Sequence, residues 1–222
     1  MSLPASTDVL IVGAGPTGLA LAVALQQAGV DHLLIDKLAD GANTSRAAVI
    51  HAHTLEALEG LGVTDRLIAA GLKLAAFSIR DRDRLVMRLR FDALPTVHRY
   101  LLMLPQDLTE KILAERLVEL GGAAHRNIEA VAIAQNDEAA TASVATPDGA
   151  RQIRARYIVG ADGMRSLVRR AAGVEFAGGD DAESFVLADV KMDWPLEHGA
   201  KKWDPVFRNS HALSFWNRSR SR

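Results

Sequence analysis

The chain has 222 residues, 49% hydrophobic and 24% charged, with a formal net charge of −1. This composition is typical of a globular protein, and the charge gives no general attraction to nucleic acid or anionic membranes. The absence of cysteine excludes disulfides, thiolate metal sites and cysteine nucleophiles. Because we find no signal peptide and no apolar run long enough to cross a bilayer, we predict a cytoplasmic protein without a membrane partner.

The first predicted elements are a strand, a glycine-rich turn, a helix and a second strand, within residues 8–36. The turn has the G-x-G-x-x-G spacing at Gly13, Gly15 and Gly18. We expect Gly13 to turn the chain, Gly15 to let the backbone approach a pyrophosphate, and Gly18 to let the helix lie close to the sheet. The N–H groups that begin the helix would face the phosphates. The candidate binding residues are Gly13, Ala14, Gly15, Pro16, Thr17 and Gly18.

Asp36 ends the second predicted strand, 18 residues after Gly18. An acid roughly 20 residues beyond the glycines is typical of a group that accepts hydrogen bonds from ribose hydroxyls. A carboxylate there also repels a 2′-phosphate, so the pattern predicts FAD or NAD rather than NADP. The residues alone leave that choice open, with a ligand-free strand–helix–strand unit as the alternative.

Two short helices and a hairpin are predicted in the following segment, with Thr64 as the cap of the second helix. His51 and His53 would share one face of a strand, but no third ligand lies nearby, so we predict no metal site. Residues 74–90 alternate apolar and polar side chains around the turn 81–83, which predicts a β-hairpin. Its five arginines are interpreted as a solvated face.

A longer helix is predicted over Asp107–Leu120, with Asp107 and Glu110 as a capping box and Gln106 at its start. A β-meander follows, with strands at about 128–134, 141–146 and 151–155.

A second strand–turn–helix unit then covers residues 157–172, with Asp162 and Gly163 in the turn. A further strand is predicted over Phe185–Met192, and the remaining residues have no regular period.

Four segments match a pattern that is more specific than the glycine spacing alone. They are GAGPTGLALAVAL (13–25) followed by Asp36, SRAAVIHAHTLEALEGLGV (45–63), LPQDLTEKIL (104–113) and YIVGADGMRSLVRRAAGV (157–174). Together they resemble the FAD-dependent aromatic-ring hydroxylases. These are the class A flavoprotein monooxygenases related to p-hydroxybenzoate hydroxylase and the phenol and polyketide hydroxylases.

The resemblance implies an α/β fold, with a Rossmann-like FAD-binding domain of parallel sheet plus β-meander and part of a mixed-sheet substrate domain. The FAD-binding domain would comprise residues 1–72 and 101–180, and the substrate-domain strands residues 73–100 and 181–196. Residues 197–222 would form an irregular basic tail. Because the later Gly-Asp motif of such proteins is not found in its usual context, we expect a chain that is truncated at its carboxyl end.

The resemblance also implies roles for individual residues. The glycine turn would hold the FAD pyrophosphate, and Asp36 the adenosine ribose. Arg46 would reach the pyrophosphate and face the nicotinamide cofactor, and Gln106 would contact the flavin side of FAD. Asp162 and Gly163 would serve both FAD and NADH or NADPH. A surface salt bridge for Arg46, a polar helix start for Gln106 and a helix cap for Asp162 stay open as alternatives.

The reaction implied by the resemblance uses NADH or NADPH to reduce FAD, after which oxygen forms a flavin C4a-hydroperoxide that hydroxylates a small aromatic substrate. The sequence singles out no catalytic acid or base among His51, His53, His98 and Tyr100. Two alternatives remain, a catalytically inactive FAD-binding remnant and an NAD-dependent dehydrogenase. The substrate, the choice between NADH and NADPH and the oligomeric state stay open.

Overall fold

The computed structural model describes residues 3–41, 49–81, 84–179 and 200–203. Arg46 and the predicted strand Phe185–Met192 lie outside the described residues. The chain divides into two compact units. Among the described residues, the first unit contains 3–41, 49, 55–71 and 104–176, and the second contains 50–54, 72–81, 84–103, 177–179 and 200–203. The domain limits given by the resemblance stay a prediction.

The helices and strands follow one another in a mixed α/β order. They are β1 (Ser6–Val12), α1 (Pro16–Gln27), β2 (His32–Ile35), β3 (Val49–Ile50), α2 (Ala52–Glu59), α3 (Thr64–Ala70), β4 (Leu72–Leu74), β5 (Ala76–Asp81), β6 (Arg84–Arg90), β7 (Leu101–Met103), α4 (Gln106–Glu119), β8 (Ala124–His125), β9 (Glu129–Gln135), β10 (Ala140–Thr146), β11 (Gly149–Gly160), α5 (Leu167–Ala171) and β12 (Ala200–Trp203).

The first unit is built on a six-stranded sheet with the order β8-β2-β1-β11-β10-β9. Strands β8, β2, β1 and β11 are parallel, whereas β10 is antiparallel to both β11 and β9. The central strand β1 contributes Leu10, Ile11 and Val12 to the core, which is the apolar run expected of a buried parallel strand. The structure therefore confirms the predicted α/β fold of parallel sheet plus β-meander.

Strand β11 is longer than the sequence indicated. The two strands predicted at 151–155 and 157–160 form one continuous strand of 12 residues. No glycine or proline lies between Arg151 and Val159 to interrupt it. Its first half pairs with β10 and its second half with β1, so this single strand joins the β-meander to the parallel sheet.

Helices α1 and α4 contribute apolar side chains to the core of the first unit. Helix α1 buries Leu19, Ala22 and Val23, and α4 buries Ile112, Leu113 and Leu117. The two helices are also linked by a hydrogen bond, because the side-chain amide of Gln26 donates to the backbone carbonyl of Leu120 at 3.1 Å. The α1 helix ends as predicted, with Gly29 in the left-handed region at φ 67°.

Two predicted helix caps are wrong. Helix α4 begins at Gln106 after Pro105 and has no side-chain cap, so Asp107 and Glu110 form no capping box. The helix begins one residue earlier than predicted, which shifts both acids into its first turns. Thr64 is the first residue of α3 rather than its cap, and its hydroxyl donates to the carbonyl of Leu55 at 2.9 Å.

The second unit contains the predicted hairpin, with β5 and β6 paired antiparallel. Strand β12, inside the segment predicted to be irregular, pairs parallel with β5. Strands β4 and β7 pair antiparallel in the same unit. Among the described residues, no helix is both long and apolar enough to cross a membrane.

Candidate functional site

The glycine turn after β1 is packed against a second turn that follows β11. Gly13 has φ 104°, and its N–H donates to the carbonyl of Ile35 at 2.8 Å. A Cβ atom at Gly13 would lie 2.6 Å from the carbonyl carbon of Ala161 and 2.9 Å from the backbone nitrogen of Asp162. Gly13 is therefore required both for its backbone conformation and for the close approach of the two turns.

Gly18 brings the start of α1 against the glycine turn itself. A Cβ atom there would collide with the carbonyl group of Gly13, whose carbon lies 3.1 Å away, and would lie 3.3 Å from the Cβ atom of Ala161. The expected role of Gly18 was helix–sheet packing. The closest neighbours show that it permits packing of the helix on the two turns.

Gly15 differs from the other two glycines because neither its backbone conformation nor its surroundings require a glycine. Its φ is −74°, and no atom lies within 4 Å of a Cβ built there. Helix α1 follows directly, with Pro16 at its start, no acidic residue in its first turn and no side-chain cap. The positive end of the helix is thus left uncompensated by its own side chains, beside open space suited to an anionic group.

Asp36 connects the glycine turn to the end of β2. Its Oδ2 accepts a hydrogen bond of 2.6 Å from the backbone N–H of Ala14, and its Oδ1 accepts one of 2.8 Å from the N–H of Leu38. The side chain is 13% exposed. The carboxylate is therefore held in place by two backbone donors, at the position where the sequence predicted an acceptor for ribose hydroxyls.

Arg126 is a residue that the sequence interpretation missed. Its Nη1 lies 3.7 Å from Oδ1 of Asp36, and the arginine side chain is 21% exposed. This positive charge offsets the carboxylate, so repulsion of a 2′-phosphate by Asp36 is weaker than the sequence argument assumed. Arg126 follows β8, whose pairing with β2 is not visible in a sequence because β8 has only two residues.

The second turn, at Ala161–Gly163, is organised by Asp162. The Oδ1 of Asp162 accepts from the Ser166 hydroxyl at 2.5 Å, and its Oδ2 accepts from the backbone N–H of Leu167 at 2.6 Å. Asp162 thus satisfies a backbone donor at the start of α5, but the cap residue itself is Ser166, whose hydroxyl accepts from the N–H of Arg169 at 2.9 Å. Gly163 has φ 77° and open space at its Cβ position, so a glycine is favoured there by backbone conformation.

Gln106 is held by a neighbour on its own helix. Its Nε2 donates a hydrogen bond of 2.7 Å to Oε1 of Glu110, whose side chain is buried at 4% exposure. Because a carboxylate can only accept hydrogen bonds, the nitrogen end of the amide faces Glu110. The sequence named Glu110 only as a capping partner of Asp107.

These features line one cleft of about 560 Å³. The volume lies within the range of about 300–1,000 Å³ that is typical of small-molecule sites. The predicted site residues on its walls are Gly13, Ala14, Gly15, Asp36, Gln106, Asp162 and Gly163. Pro16, Thr17 and Gly18 support the turn without lining the cleft, and Arg46 lies outside the described residues.

The charges on the cleft walls are mixed. Basic side chains are contributed by Lys37, Arg126, Arg165 and Arg170. Acidic side chains are contributed by Asp36, Glu110, Glu129 and Asp162. The walls therefore offer cations for a pyrophosphate and acceptors for sugar hydroxyls, which is the donor and acceptor set that a dinucleotide requires.

The candidate acid–base residues lie elsewhere. His98 is buried, and its Nδ1 lies 3.2 Å from the hydroxyl of Tyr100, within the second unit. His53 lies on α2 and His51 directly precedes that helix, so the premise that both lie on a strand is wrong. Among the residues that the structure describes, no group of three or more His, Cys, Asp or Glu side chains could hold a metal ion.

Comparison with known proteins shows the family to which the chain belongs. The family described as FAD binding domain matches residues 6–217 of the chain. The chain belongs to the FAD-dependent aromatic-ring hydroxylase family. The description of this family names FAD, so the comparison favours FAD in the choice between FAD and NAD that the glycine turn left open.

The relatives of this family member include tetracycline and nitrophenol monooxygenases. The 12-dehydrotetracycline 5-monooxygenase/anhydrotetracycline 6-monooxygenase of Streptomyces rimosus is 37% identical over 192 residues, covering 86% of this chain and 38% of the relative. The p-nitrophenol 4-monooxygenase of Pseudomonas putida DLL-E4 is 27% identical in sequence with a TM-score of 0.75, covering 79% of this chain and 46% of that structure.

A third relative has a structure that contains the cofactor. A flavin-dependent monooxygenase solved in complex with FAD and substrate is 29% identical, with a TM-score of 0.72, covering 80% of this chain and 34% of that structure. The family member described here therefore spans less than half the length of each of these three relatives.

Proposed function

We propose that the chain binds FAD in the cleft of its first unit and serves in the hydroxylation of a small aromatic compound, with NADH or NADPH as electron donor and molecular oxygen as co-substrate. The observation that carries the proposal is the convergence of the two turns and Asp36 on a single cleft. An aromatic or polyketide substrate is favoured by the names of the relatives, which are monooxygenases of 12-dehydrotetracycline, anhydrotetracycline and p-nitrophenol.

The described residues support one orientation of FAD in the cleft. The open space at Gly15 and the uncompensated start of α1 suit the pyrophosphate. The carboxylate of Asp36 suits the two hydroxyls of the adenosine ribose. Gln106 would contact the flavin side of FAD, and the turn at Asp162 and Gly163 would contact FAD and the nicotinamide cofactor. Arg46 is assigned to the pyrophosphate through the resemblance alone.

When bound, the flavin would accept a hydride from NADH or NADPH and activate molecular oxygen, so that one oxygen atom enters an electron-rich ring and the other leaves as water. The residues of the first unit bind and orient the cofactor.

The proposal is tested by titrating the purified chain with FAD and following flavin fluorescence and absorbance. We expect saturable binding at one site per chain and a yellow protein after removal of free cofactor. A chain that stays colourless at high FAD concentration would contradict the proposal. Tight binding of NAD+ without flavin would instead favour the dehydrogenase alternative.

A second candidate is FAD binding without hydroxylation. It is favoured by the candidate site itself, whose described residues line the cleft of the first unit or support its glycine turn. NADPH oxidation that no phenol or aromatic acid stimulates would support this flavin-binding role. Formation of a hydroxylated product that depends on an added aromatic substrate would exclude it.

A further inference from the structure

Arg126 is placed beside Asp36 by the backbone of both segments. The N–H of Asp36 donates to the carbonyl of His125 at 2.9 Å, and the N–H of Ile128 donates to the carbonyl of Asp36 at 2.9 Å. Between them, Asn127 adopts a left-handed conformation with φ 58°. The position of Arg126 is therefore fixed by hydrogen bonds on both sides, rather than by a chance encounter of surface side chains.

The contact between the two side chains is an attraction of charges without a hydrogen bond. Their closest atoms are 3.7 Å apart, while the short hydrogen bonds to Asp36 come from the backbone of Ala14 and Leu38. Removal of Arg126 would thus leave the carboxylate oriented. It would remove the positive charge that faces the carboxylate in a partly buried site, where ion pairs are screened less than on the surface.

When a nucleotide binds, the positive charge of Arg126 would stabilise Asp36 more than it does in the free protein. A ribose diol that covers Asp36 displaces water from a carboxylate that is already only 13% exposed. Covering a charge without a nearby counter-charge is costly, whereas a fixed cation offsets much of that cost.

We propose that Arg126 is a positioning residue for the adenosine half of the cofactor, acting by neutralising Asp36 while the ribose covers it. This inference rests on the proposed FAD binding. The role of Arg126 depends on the charge of Asp36. It applies to any ligand with an adenosine diphosphate group, including ADP itself.

The test measures dissociation constants for FAD, by flavin fluorescence, and for ADP, by calorimetry. We expect Arg126→Ala to weaken both ligands by about tenfold, between the effects seen for exposed and fully buried ion pairs. Arg126→Lys should retain most of the affinity. Arg151→Ala is the matched control, because Arg151 is exposed and does not line the cleft.

The dependence on Asp36 is tested in the Asp36→Asn background, which keeps the side-chain shape and removes the charge. There Arg126→Ala should change either dissociation constant by less than about twofold, because no carboxylate remains to be neutralised. An equal loss in both backgrounds, or no loss in either, would overturn the inference. If the wild-type chain binds ADP but not FAD, the proposed function fails while the ADP measurements still test Arg126.

Discussion

Gly13 lies so close to Ala161 that a Cβ atom at Gly13 would be 2.6 Å from the carbonyl carbon of Ala161. This contact joins the turn after β1 to the turn after β11, the two central parallel strands of the sheet. Because ligands of open α/β sheets bind outside the carboxyl ends of the strands, the contact fixes the floor of the cleft. The two turns therefore pack against each other at the carboxyl ends of these strands.

Gly13→Ala should destabilise the chain by about 3 kcal/mol, combining a disfavoured φ of 104° with a collision against backbone atoms that cannot move aside. Urea unfolding followed by circular dichroism measures the loss. The control is Gly121→Ala, at φ 85° with open space around its Cβ position, which should cost only about 1 kcal/mol. Equal losses for the two variants would show that the contact with Ala161 is unimportant.

Gly15→Val should affect FAD binding rather than the stability of the apo protein. The apo protein should lose about 1 kcal/mol or less, because Gly15 has an ordinary φ and open surroundings. The valine side chain would occupy the space expected for the pyrophosphate, so FAD binding should weaken by about 2 kcal/mol or more. Fluorescence titration with FAD measures the affinity.

Gly60→Val is the matched control for Gly15→Val, since Gly60 also has open surroundings and does not line the cleft. It should leave FAD affinity unchanged. Full FAD affinity in Gly15→Val would refute the placement of the pyrophosphate at this turn.

Glu110→Ala should weaken FAD binding through Gln106, whose side-chain amide loses a hydrogen bond to a buried carboxylate. The expected loss is about 1–2 kcal/mol, and Glu110→Gln should cost less because an amide oxygen can still accept the bond. In a double-mutant cycle with Gln106→Leu, the two losses should not add.

The control for this cycle is Glu115→Gln, on the same helix but paired with Arg66 on the outer face. It should leave FAD affinity unchanged. Strict additivity of the Glu110 and Gln106 variants would show that the hydrogen bond between them does not position the amide for the cofactor.

The part of the site that residue spacing alone predicted is the part encoded locally, whereas Gln106, Asp162 and Gly163 were named only through the family resemblance. The turn from Gly13 to Gly18 and the acid at Asp36 lie in one strand–helix–strand unit, where spacing alone relates them. Arg126 and Glu110 were missed as site residues for different reasons. Arg126 reaches Asp36 through the pairing of β2 with the two-residue strand β8, which no local period reveals.

Glu110 was noticed, but its partner was misassigned. The spacing from Asp107 to Glu110 suits a capping box only if the helix begins after Asp107. Pro105 instead occupies the cap position, so the helix begins at Gln106 and Glu110 lies one turn beyond it, within reach of its amide. Helix limits are the least certain part of a sequence interpretation, and here one residue of displacement changes which side chains meet.

Asp162→Ala should lower the stability of the protein in the absence of any cofactor. Its carboxylate accepts from the Ser166 hydroxyl and from the backbone N–H of Leu167, so the variant leaves that N–H without its acceptor and the capping residue Ser166 without its partner. We expect a loss of about 1–2 kcal/mol in urea unfolding, with a similar or smaller loss for Ser166→Ala. If Asp162 acted only on the cofactor, apo stability would be unchanged and the whole effect would be on FAD affinity. A loss of apo stability together with a further loss of FAD affinity, beyond that of Ser166→Ala, would show that Asp162 has both roles.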